Sequence, residues 1–92
     1  MKQMNKQELD ELIEVSKKYW ETGDKDILDR RMVLAKKISY ETSGNQFNWV
    51  GWTDLTKIID GCINLKKHIS KTDIYRIFEI LGFSIKEKEV EL

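Results

Sequence analysis

No proline occurs anywhere in this chain of 92 residues. The strongest helix breaker is missing, so the main stops left are glycines. Between those stops, apolar residues recur at spacings of three and four. Leu9, Leu12, Ile13, Tyr19 and Trp20 share one face, with Ser16 among them. Leu55, Ile58, Ile59, Cys62, Ile63 and Ile69 share another, and Ile74, Ile77, Phe78 and Leu81 a third. This is the period of amphipathic helices, not of strands.

Capping residues fix the boundaries. Asn5 opens a capping box that closes on Glu8, and Gly23 is placed to end that helix in a left-handed turn. Asp24 caps a second helix that stops before Gly44, and Thr53, followed by Asp54, caps a third. Ser70 or Thr72 caps a fourth, which Gly82 ends, with Phe83 as the apolar contact of a Schellman ending. The predicted helices are about 5–22, 24–42, 53–68 and 71–82. Short connections join the first to the second and the third to the fourth. The expectation is an all-α, single-domain chain over 1–92, a small four-helix bundle of two antiparallel hairpins. Residues 84–92 read as a frayed, charged tail.

Charge and cysteine content narrow the function. Sixteen Lys and Arg balance sixteen Asp and Glu, so the chain lacks the broad positive field of non-specific nucleic-acid binding. The lone Cys62 cannot form an internal disulfide, and Met1–Asp10 has no apolar run. Together these point to a cytoplasmic protein without a secretory signal or membrane span. No metal or cofactor site is expected. Cys62 and His68 are six apart, on different helix faces, and the glycines never cluster into a phosphate loop. His68, the only candidate base, sits at a helix end, so no enzyme is expected.

The remaining features suit a binding partner. Phe47, Trp49 and Trp52 crowd into six positions between the two hairpins. In the second helix, Arg31 interrupts the stripe of Ile27, Leu28, Leu34, Ala35 and Ile38. Unpaired there, a guanidinium would be very costly. Either it snorkels or pairs with a carboxylate such as Glu14, or it faces a partner. On the opposite face Val33 and Tyr40 stand two turns apart, flanked by Lys36 and Lys37. These features predict a non-enzymatic helical module that binds and modulates or inhibits a larger protein. Its contact residues would be Trp49, Trp52, Phe47, Tyr40, Val33, Arg31 and Lys36, with Trp52 the most core-like. A homodimer would hide the same patch. The Lys-, Ile- and Asn-rich composition suggests a low-GC bacterial or phage source.

One segment carries a different expectation. Ile69-Ser-Lys-Thr-Asp-Ile-Tyr-Arg-Ile-Phe-Glu-Ile-Leu-Gly82 resembles the turn and recognition helix of bacterial helix-turn-helix regulators. The resemblance implies that Ser70, Lys71, Thr72, Tyr75 and Arg76 face DNA, with Lys66, Lys67 and Lys71 on phosphates. It is confined to this stretch. Asn64 stands where the motif has a small residue, and His68 where it has the turn glycine. An ordinary capped amphipathic helix is the competing reading.

Overall fold

The computed structural model describes residues 2–43, 51–66 and 68–87. It is mostly helical, in the order β1 (Lys2–Asn5), α1 (Lys6–Thr22), α2 (Lys25–Ser43), α3 (Trp52–Leu65), α4 (Lys71–Ile80) and β2 (Phe83–Lys86).

The helix ends follow the capping chemistry, with two corrections. Asn5 accepts a hydrogen bond from the Glu8 amide at 3.1 Å, and Asp24 one from the Asp26 amide at 2.9 Å. Gly23 takes φ +67°, where its amide reaches the Tyr19 carbonyl at 2.7 Å, a conformation that a Cβ would strain. Ser70, not Thr72, caps α4 through the Asp73 amide. The α3 cap is Gly51 and not Thr53, so Trp52 is already the first helical residue. That helix also stops at Leu65, which leaves His68 in the turn before α4.

The largest departure is the pair of strands. β1 and β2 form a two-stranded parallel sheet, with Met4 opposite Ile85 and Lys2 opposite Phe83. Residues 84–86 therefore pair with β1, where the sequence reading places a frayed tail; residues 88–92 lie outside the described residues. Phe83 does supply the Schellman contact, meeting Phe78 edge to face at 5.6 Å, and then continues into β2. Both rings are buried, and such a pair adds about 0.5–1.5 kcal/mol beyond its area.

One continuous core joins Met4, Leu9, Leu12, Ile13, Ala35, Ile38, Leu55, Ile59, Ile74 and Phe78 with other buried residues. Close backbone approaches link α1 with α2, α2 with α3 and α1 with α3, whereas α4 lies close to β2. Side chains tie α4 to α1. The Tyr75 hydroxyl donates to the Asp10 carboxylate, Lys71 pairs with Glu14, and Lys17 Nζ donates to the Ile69 carbonyl at 2.7 Å.

Candidate functional site

The helix α2 presents two unlike faces. Its inner face carries Leu34, Ala35 and Ile38, all buried, and Arg31 among them at only 6% exposure. Arg31 points inward, and its carboxylate is not Glu14. Its Nη2 pairs with Asp60 of α3 and donates to the Thr56 carbonyl at 3.3 Å. Its Nε donates to Ser16 Oγ at 3.1 Å, and the guanidinium lies 5.6 Å from the Tyr19 ring centre. Asp60 also accepts from Trp20 Nε1 at 3.0 Å. A buried cation needs such pairing, since desolvation otherwise outweighs its attraction. Glu14 instead serves Lys71, which holds the Glu14 carboxyl below its ordinary range through a hydrogen bond and its charge.

The outer face is the reverse. Val33 is 62% exposed and Tyr40 is 82% exposed, with Lys36 and Lys37 exposed between them. Lys36 Nζ lies 5.3 Å from the ring centre of Trp52, so the half-buried indole flanks this face and joins it to the core. Lys37 Nζ lies 3.3 Å from Glu8 Oε2. That oxygen is shut off from solvent and receives no hydrogen bond, so the ammonium acts on it as a charge. The Glu41 carboxyl hydrogen-bonds Glu8, which pushes its pKa up; burial and the Glu8 charge add to this, and Lys37 opposes it. Arg30 pairs with Glu11 beside them.

Of the expected contact residues, the structure brings Val33, Lys36, Tyr40 and Trp52 into one region and sends Arg31 inward. Phe47 and Trp49 lie outside the described residues. Asp60, Ser16 and Trp20 are the residues that sequence reasoning missed around Arg31. The available signal was on α3, where Thr56 and Asp60 are four apart and so share a flank.

The expected DNA-facing residues are divided. Thr72, Arg76 and Ser70 are exposed, while Tyr75 and Lys71 are half-buried and bonded to carboxylates of α1. Lys66 lies 3.8 Å from Asp73, and Lys67 lies outside the described residues. The same helix ends with Ile80 at 83% exposure and Leu81 at 54%.

Burial raises the Cys62 thiol above its ordinary range, and the side chain belongs to the core. His68 lines an open groove of about 580 Å³ with Lys17, Trp20, Glu21, Ile63 and Asn64. Among the described residues no three His, Cys, Asp or Glu side chains are grouped to hold a metal, and no helix is long and apolar enough to cross a membrane. No protein-family model, curated protein or solved structure matches the chain.

Proposed function

We propose that this chain is a non-enzymatic interaction module that docks on a larger protein through the outer face of α2 and modulates or inhibits it sterically. The observation that carries this reading is the exposure of Val33 and Tyr40 on one ridge of a helix whose opposite face buries Arg31, Leu34, Ala35 and Ile38. A valine and a tyrosine left in water on a rigid helix provide contact area at little ordering cost. Lys36 and Trp52 border them, and Phe47 and Trp49, next in sequence, complete the proposed anchors. Affinity capture with mass spectrometry identifies the partner. Tyr40→Ala and Trp49→Ala are then expected to weaken it while the helical circular dichroism is kept. Unchanged affinity in folded variants would remove the reading.

Binding of DNA through α4 has a narrower basis. The Ser70 cap and the exposed Thr72 and Arg76 support it, but Lys71 and Tyr75 are engaged inside the molecule. It predicts salt-dependent duplex binding that Arg76→Ala abolishes.

A further inference from the structure

We propose that the outer face of α2 also pairs with the same face of a second copy, antiparallel about Val33, so that a weak homodimer covers the docking face. This rests on the docking-face reading above and adds to it how the face is occupied when no partner is bound.

The argument is the order of charge along the helix. Asp26, Asp29, Lys36, Lys37 and Tyr40 stand three, four or seven residues from Val33, so all lie on its side of α2. All are exposed. The acidic pair precedes Val33 and the basic pair follows it. A two-fold axis at Val33 inverts height while keeping each residue on its own flank of the contact. Asp29 lies about 6 Å below Val33 and Lys36 about 4.5 Å above it, at 1.5 Å per residue. In the antiparallel pair, Asp29 therefore meets Lys36 of the second copy at nearly one height, and the contact occurs twice. Asp26 and Tyr40 each stand about 10.5 Å from Val33 and meet likewise.

Neither Asp29 nor Lys36 is in an ion pair among the described residues, and Lys36, which lies over the Trp52 ring, keeps its ammonium exposed. Arg30 and Lys37 would also fall opposite each other, but carboxylates of α1, Glu11 and Glu8, already hold them. A parallel pair keeps height, so Asp29 and Lys36 of the second copy would stay about 10.5 Å apart along the axis, and this pairing would be lost. One helix face is a small interface, so the dimer is weak and in exchange with monomer.

Sedimentation equilibrium of the full chain, from micromolar to about 1 mM, tests this. The mass is expected to rise from 10.9 kDa toward twice that value, and less so at high salt. Asp29→Lys alone and Lys36→Glu alone each turn two attractions into repulsions and should weaken the dimer on the order of tenfold. The double variant, and an equimolar mixture of the two single variants, should both restore it. A monomer throughout, or a dimer indifferent to these reversals, overturns the proposal. If Tyr40→Ala still weakens the captured partner in that case, only self-pairing has failed; if it does not, the docking face has failed as well.

Discussion

The inner and outer faces of α2 invert the usual distribution of polarity. Inside, an arginine is buried; outside, a valine and a tyrosine are exposed. The inner exception is fully accounted for by Asp60, Ser16 and the Thr56 carbonyl. The outer one is a matter of exposure, Val33 at 62% and Tyr40 at 82%. A buried polar group that is satisfied concerns the fold, whereas apolar area left in water on a rigid helix concerns binding. The two faces therefore respond differently to substitution.

The largest effect is expected at Arg31. Arg31→Ala leaves Asp60 facing the core without its cation, a loss of about 3 kcal/mol, at the low end for buried pairs because Asp60 is partly exposed. Denaturant unfolding measures it, and Trp20, bonded to Asp60, reports the change in fluorescence. Replacing both Arg31 and Asp60 by Leu should recover most of the loss, since the penalty lies in the unpaired charge. Full loss in that double variant would mean that the network does more than satisfy itself.

How far this contrast is legible in the sequence depends on range. The helices are legible because caps and a period of three to four residues are local signals. The position of Arg31 on the stripe is legible for the same reason. Its partner is not, because whether Asp60 or Glu14 lies opposite depends on how α2 sits against α1 and α3. β1 is invisible to pattern: Lys2–Asn5 holds one apolar residue, Met4, and its pairing is with the other end of the chain. Gly51 as the α3 cap is also missed, because Thr53 offers the better side chain but stands inside the first turn. The Val33 and Tyr40 face is legible, since exposure follows from the same periodicity that buries the stripe.

A smaller test of the inner face is Ser16→Ala. It removes the acceptor of Arg31 Nε in a buried setting and should cost about 1–2 kcal/mol. Thermal unfolding measures this, and a loss equal to that of Arg31→Ala would show that Ser16, not Asp60, governs the network.

Glu41 beside the outer face gives a pH signature. Its folded pKa is raised above the ordinary 4.5, so the folded state holds this proton more tightly than the unfolded one. The contribution is present below the unfolded value and is lost as pH rises through the folded value. Glu14 runs the other way: its lowered pKa gives a contribution present above 4.5 that is lost as pH falls through its folded value. Glu41→Gln should flatten the loss on the rising side only, as read from unfolding midpoints across the acidic range. An undiminished loss on the rising side would show that Glu41 does not carry it.

The smallest effect on stability, and the most telling for function, is expected at Val33. Val33→Ser exchanges residues of similar helix propensity at a site already in water, so unfolding should shift by no more than about 0.5 kcal/mol. Association should fall all the same, because Val33 is the centre of the outer ridge. A residue that stands mostly in water has little stability to lose within its own chain. If Val33→Ser destabilises the monomer as a core substitution would, the side chain is covered within its own chain and the contrast between the two faces of α2 fails. If stability holds and both self-association and partner binding persist, the exposed ridge is surface alone. Stability kept with association lost is the outcome that separates binding from folding on one helix.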